Sequence, residues 1–127
     1  MPGKIIRSAA APEPIGPYSQ AVQAGNFIFT SGQIAINPAS GRLEAADIAV
    51  QTRQVLKNLA AVLQAAGSSF NDVVKTTIFL SDMNDFPGVN QIYAEHFGKT
   101  SPARSTVQVA RLPKDAMIEM ECVAYKK

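Results

Sequence analysis

The chain has one cysteine, one histidine and no tryptophan among its 127 residues, and each scarcity removes a class of chemistry. A lone Cys122 forms no intrachain disulfide and cannot build a zinc site of the paired-cysteine kind. That cysteine usage fits a reducing compartment, read here as the cytoplasm. The lone histidine, His96, falls late in an expected helix, where the helix C-terminus or the surface accounts for it, and it is assigned no role. A Ser-His-Asp set can be written from Ser31, His96 and Asp85, but no nucleophile elbow marks the serine. Gly25, Gly32 and Gly41 have neither dinucleotide nor Walker spacing. No apolar run approaches the roughly 18 residues of a membrane helix, and Met1 to Ser8 lack an apolar signal core, so a soluble protein is expected. The 12 Lys and Arg residues are scattered from Lys4 to Lys127. Without a contiguous basic patch, neither nucleic acid nor a membrane is an expected partner.

What is present is apolar. Hydrophobic residues make up 46% of the chain, enough at this length for one domain with a real core, residues 1–127. Charged residues are only 17%, below the usual share for a soluble globular protein, and oligomerisation is the simplest way to cover the remaining surface.

Along the chain, Lys4 to Arg7 reads as a short strand, and the prolines from Pro12 to Pro17 fix an extended loop that delivers Tyr18. Ser19 to Ala24 and Phe27 to Ile34 are extended runs around a two-residue Gly25-Asn26 turn, the pattern of a hairpin. Asn37 to Gly41 is loop chemistry. From Asp47, a plausible N-cap, Ile48, Thr52, Val55, Leu56, Leu59, Val62, Leu63 and Ala66 recur at helical spacing, with Gly67 placed to close the helix. Val73 to Ser81 is β-branched and apolar on both faces, as an interior strand is. A second helix begins near Asp85, tolerates Pro87 in its first turn, carries Phe86, Val89, Tyr93 and Phe97 on one stripe, and stops at Gly98. Arg104 to Leu112 and Met117 to Tyr125 read as two more strands, joined as a hairpin through Pro113 to Ala116. This predicts an α+β fold, one sheet of about six strands with both helices on one face.

The other face is the informative one. In the last strand Met117, Glu119, Glu121, Val123 and Tyr125 alternate away from Ile118, Met120, Cys122 and Ala124. Large apolar residues mixed with two carboxylates fit a subunit interface with a polar pocket; an exposed sheet face with ordinary surface glutamates fits equally well. The expected hairpin pairs Arg104 near Val123 or Ala124, offset from Glu119 by roughly 13 to 16 Å along the strand. If both act on one small molecule, the site must span two chains. Cys122 alternates with core residues and reads as a small buried hydrophobe.

The segment Pro102-Ala103-Arg104-Ser105-Thr106-Val107, running through Ala110-Arg111-Leu112-Pro113-Lys114-Asp115 to Ile118-Glu119-Met120, resembles the C-terminal signature of the RidA (YjgF-type) family. Four further blocks support the resemblance: Ile15 to Ala21, Thr30 to Ile34, Val74 to Thr77, and Asp82 to Asn90. They span nearly the whole chain. The resemblance implies a chorismate mutase-like, six-stranded mixed sheet with two helices on one face, assembled as a homotrimer around inward-facing sheets with a ligand cleft at each subunit junction. It implies hydrolysis of reactive 2-enamine and 2-imino acids, such as 2-aminoacrylate and 2-iminobutyrate, to 2-keto acids and ammonia. Those intermediates are released by pyridoxal-phosphate enzymes acting on serine or threonine, and the deaminase limits the damage they cause. No cofactor and no metal is implied.

Carried onto this chain, the resemblance makes Arg104 the clamp on the substrate carboxylate, a task suited to a guanidinium fork. Glu119 becomes the group that orients the attacking water or shuttles its protons. Tyr18, Ser31 and Gly32 line the cleft, and Asn90 hydrogen-bonds near the ligand. At the position two after the arginine the family often has cysteine; here it is Thr106, which keeps the backbone amide used in binding. Two alternatives stay open: an endoribonuclease, which would want a basic groove with exposed aromatics, and a non-catalytic regulator that binds 2-keto acids in the same clefts.

Overall fold

The computed structural model describes residues 1–44 and 46–127. Its centre is β6 (Val73–Leu80), whose Val73, Thr76, Ile78 and Leu80 are buried. A strand of this composition takes a neighbour on each side. It has β7 (Ala103–Gln108) parallel on one edge and β8 (Ile118–Tyr125) antiparallel on the other. Beyond β8 lie β3 (Phe27–Thr30), β2 (Ala21–Ala24) and β1 (Lys4–Ile6), so the mixed six-stranded sheet runs β1-β2-β3-β8-β6-β7. The turn between β2 and β3 is Gly25-Asn26, with Gly25 at φ 59°, the two-residue connection that Gly in the first central position favours.

Both helices cover one face, as the apolar periodicity predicts. Helix α1 (Ile48–Ala65) buries Val55, Leu56, Leu59, Val62 and Leu63 against Ile28, Ile78, Ile118 and Met120. Asp47 caps it by accepting from the Val50 amide at 2.9 Å. Gly67, at φ 73°, ends it in a left-handed residue with paired bonds from Gly67 N to Gln64 O and Ser68 N to Leu63 O, the geometry that favours glycine. Helix α2 (Phe86–Phe97) begins with Pro87 in its first turn and buries Val89, Ile92, Tyr93 and Phe97. Among the described residues, the opposite sheet face carries no helix.

The expected hairpin between the last two strands does not form: β6 lies between them. A parallel pair needs a crossover of a dozen or more residues, and α2 supplies it, making β6-α2-β7 one unit. The Pro113–Asp115 segment is a tight turn with Lys114 and Asp115 left-handed at φ 56° and 54°, but it sits in a connection that steps over the end of β6. Val109 N donates to Leu80 O at 2.9 Å, and Ser81 N donates to Met117 O at 3.1 Å. Arg104 therefore pairs with Thr76, not with Val123 or Ala124.

Smaller differences lie near the site. The strand expected over Phe27 to Ile34 stops at Thr30, and Gln33 rejoins the sheet by a single bridge to Met120. Residues 38–41 are the turn of a two-stranded ribbon formed by β4 (Ile36–Asn37) and β5 (Arg42–Leu43). Buried Asn58 on α1 holds this region in place, donating to Ile34 O at 3.2 Å and Ile36 O at 2.9 Å.

Candidate functional site

Where β3 leaves the ladder, it opens a cavity of about 360 Å³. Tyr18, Ser31, Gly32 and Glu119 all line it, with an apolar wall from Pro12, Ile15, Ile34, Ile36 and Pro113. Four of the residues expected in the cleft are thus brought together. Ser31 is turned by two bonds, its amide to Gln20 O at 2.9 Å and its hydroxyl to Ser19 O at 2.6 Å. Gly32 packs flat on Glu119: a Cβ there would lie 2.8 Å from the carboxyl Cδ and 3.0 Å from Cγ. Its role is close approach, since its φ is not left-handed. The phenol oxygen of Tyr18 accepts from the Ile15 amide at 3.4 Å, curling the proline-rich loop over the opening.

Glu119 alternates away from the buried Ile118 and Met120, onto the face without helices. Burial raises its pKa above the ordinary carboxylate range, and the negative charge of Glu121 raises it further. A carboxylate made more basic in this way, beside a half-enclosed cavity, is a better proton acceptor than an ordinary surface glutamate.

Arg104 is elsewhere. Its partner Thr76 is buried beneath α2, so Arg104 leaves β7 on the helix-covered face. There its Nη1 donates to Asn90 Oδ1 at 2.7 Å, and its guanidinium carbon stands 4.7 Å from the Tyr93 ring centre and 5.2 Å from that of Phe86. Tyr93 shares a 2.7 Å hydrogen bond with the Thr76 hydroxyl. Burial pushes the Tyr93 phenol up, opposed by that bond and by the charge of Arg104. A second cavity, about 370 Å³, opens beside Arg104 between Tyr93, Phe97, Ser101 and Pro102. Thr106, two residues on, shares this face, and its hydroxyl oxygen is buried with no hydrogen-bond partner among the described residues.

Along β6, Arg104 is level with Thr76 and Glu119 with Phe79. Three residues along the strand and two strand spacings across make the backbone separation roughly 14 Å, with the two side chains on opposite faces. The distance is close to the one that the expected hairpin gave, but its origin is different. Within one chain, no small molecule touches both groups.

Sequence patterning missed the groups that hold these residues. Buried Gln20 accepts from Ser8 N at 2.6 Å and donates to Ser8 O at 3.1 Å and Pro12 O at 2.8 Å, anchoring the loop that forms one cavity wall. Its signal was a large amide immediately before an apolar strand. Phe86 and Tyr93 were legible as a helical stripe, though not as the seat of Arg104. Among the described residues no group of three or more His, Cys, Asp or Glu is placed to hold a metal ion, and no helix is long and apolar enough to cross a membrane. Burial drives the Cys122 thiol to about 11, so it is held as the unreactive thiol.

The sequence and the fold match known proteins along almost the full chain. The sequence model of the family described as Endoribonuclease L-PSP matches residues 8–126. A RutC family protein of Pyrococcus horikoshii is 56% identical over 98% of each chain. The human 2-iminobutanoate/2-iminopropanoate deaminase is 50% identical over 97% of this chain and 90% of its own. Among solved structures, the YjgF gene product of E. coli superposes with a TM-score of 0.93 at 50% identity, covering 98% of this chain and 99% of that one. E. coli TdcF with bound serine superposes with a TM-score of 0.93 at 46% identity, with the same coverage. The chain belongs to the RidA (YjgF-type) family.

Proposed function

We propose that this protein hydrolyses small 2-imino acids, and the 2-enamines that tautomerise to them, to 2-keto acids and ammonia, with 2-aminoacrylate and 2-iminobutyrate giving pyruvate and 2-ketobutyrate. The observation that carries the reading is the pairing of a guanidinium without an ion pair among the described residues with a carboxylate of raised pKa, each lining its own cavity. Arg104 binds the substrate carboxylate through its fork. Glu119 takes a proton from water as its oxygen attacks the imine carbon. The imine nitrogen receives that proton as the carbinolamine forms, and Glu119 then passes the carbinolamine's hydroxyl proton to the same nitrogen as the C–N bond breaks, so ammonia leaves and the ketone remains. Positioning water and moving its two protons to nitrogen account for the catalysis. The human and mouse relatives named as deaminases support this chemistry. So does the relative that holds serine, a 2-amino carboxylate of the expected size.

In this proposal the working unit is a homotrimer, in which the Arg104 side of one subunit meets the Glu119 cavity of the next. The uncovered sheet face favours assembly: Phe27, Phe29 and Tyr125 form an exposed aromatic cluster, with ring centres 5.1 to 6.2 Å apart, and patches of this kind mark contact surfaces. Tyr18, Ser31, Gly32 and the Thr106 strand then complete a cleft between chains.

The test is a coupled assay in which a serine or threonine dehydratase generates the imine and keto-acid release is followed with wild type, Arg104→Ala and Glu119→Ala. Acceleration by wild type, lost in both variants, supports the reading. No acceleration, together with binding of 2-ketobutyrate, would make the protein a 2-keto-acid regulator instead. The name of the family's sequence model favours a second reading, RNA cleavage, which predicts hydrolysis of single-stranded RNA with steeply salt-dependent affinity.

A further inference from the structure

Of the four other arginines on this chain, two meet carboxylates at the surface: Arg53 pairs with Glu95 at 3.2 Å and Arg111 with Asp115 at 2.6 Å. Among the described residues, Arg104 meets none. Its hydrogen-bond acceptor is the Asn90 amide oxygen at 2.7 Å, and its flanking surfaces are the Tyr93 and Phe86 rings. Phe86, Asn90 and Tyr93 stand at i, i+4 and i+7 on α2, one stripe of one helix. Tyr93 is fixed in turn by the buried Thr76 hydroxyl, one strand over from Arg104 and level with it.

We infer that Phe86, Asn90 and Tyr93 form a neutral cradle that fixes the Arg104 guanidinium without cancelling its charge, making Asn90 a positioning residue and not a ligand contact. The inference rests on the reading of Arg104 as a carboxylate clamp and deepens it. One N–H donated to an amide oxygen sets the direction of the fork, and two ring faces set its plane. Neither carries a formal charge, so the full attraction remains for an incoming carboxylate. A carboxylate at position 90 would hold the fork equally well but would neutralise it before the ligand arrived. The cradle's chemistry, not only its shape, is what the site requires.

Asn90→Asp separates the two requirements, because it keeps size and acceptor while adding charge. Its affinity for 2-ketobutyrate should fall, and its KM for the imine rise, by about tenfold to a hundredfold, the range of a charge-assisted hydrogen bond lost to an internal competitor. Its kcat, oligomeric state and melting temperature should stay near wild type. The 2-ketobutyrate affinity should recover as pH is lowered and the introduced carboxylate is protonated, which a purely structural defect would not reproduce. Wild-type affinity and KM in Asn90→Asp would overturn the cradle, as would a loss confined to kcat, which would place Asn90 at the reacting atoms. The control is Arg104→Ala: if it turned over the imine normally, the clamp itself would be wrong, and the cradle with it.

Discussion

Replacing Gly32 by alanine moves the Glu119 carboxylate with little effect on anything else. The new methyl would begin 2.8 Å from Cδ, 3.0 Å from Cγ and 3.1 Å from Oε1 of Glu119, whereas ordinary carbon contacts sit at about 3.5–4.0 Å. The nearest atoms belong to a flexible side chain, so the carboxylate retreats by about 1 Å while the backbone stays. Gly32 is not among the left-handed glycines, so alanine brings no backbone strain. A misplacement of about 1 Å in a catalytic group costs about a hundredfold in rate, near 2.7 kcal/mol of activation free energy. Steady-state kinetics in the dehydratase-coupled assay should show kcat reduced to that extent, with KM within about threefold of wild type because Arg104 is untouched. Denaturant unfolding should change by no more than about 1 kcal/mol. A kcat within twofold of wild type would refute the placement of Glu119 at the reacting atoms, and a collapse of stability would refute the claim that only a side chain gives way.

The raised pKa of Glu119 predicts an acid limb of kcat/KM above the ordinary carboxylate range, and Glu121→Gln should shift that limb to lower pH by removing the second cause; a limb unmoved in that variant would contradict it. The same shift has a stability consequence. With a pKa higher folded than unfolded, the folded state binds the proton more tightly and is penalised once pH rises through the shifted value. Glu119→Gln should therefore raise the melting temperature at neutral pH, with the gain vanishing in acid; an equal gain at every pH would exclude the titration as its cause. Thr106→Val removes a buried hydroxyl without a partner among the described residues and should be neutral or stabilising by about 1 kcal/mol, whereas a loss above about 2 kcal/mol in denaturant unfolding would mean that the hydroxyl is bonded. Gln20→Ala strips the anchor from the loop carrying Tyr18. It should cost about 2–4 kcal/mol and expose residues 9–18 to limited proteolysis; protease resistance equal to wild type would refute the anchoring role.

Features encoded by short spacings were legible in the sequence. Helix α1 could be read from its apolar recurrence, the Asp47 cap and the Gly67 stop, because each acts within one turn of the chain. The alternation of the last strand placed Glu119 and Glu121 on the uncovered face, where they are found. The partner of Arg104 was not legible. Proline and polar residues at 113–116 carry a hairpin signal, but the apolar β6 competes for the same edge of β8 and wins, and nothing local in β7 announces a parallel neighbour. Asn90 is placed near a ligand by the family resemblance, and a helix position alone does not reveal which strand passes beneath it. That strand delivers Arg104 to it.

In the proposed reaction Arg104 of one chain and Glu119 of another act on the same molecule. Mixing the Arg104→Ala and Glu119→Ala proteins, dissociating them and allowing them to reassort tests it without further assumption. In randomly mixed trimers about a quarter of the inter-subunit sites recover both groups, so two inactive preparations should together regain about a quarter of wild-type turnover. If native mass spectrometry shows mixed trimers and the mixture stays as inactive as either parent, the two residues do not meet across a subunit boundary and the account is wrong.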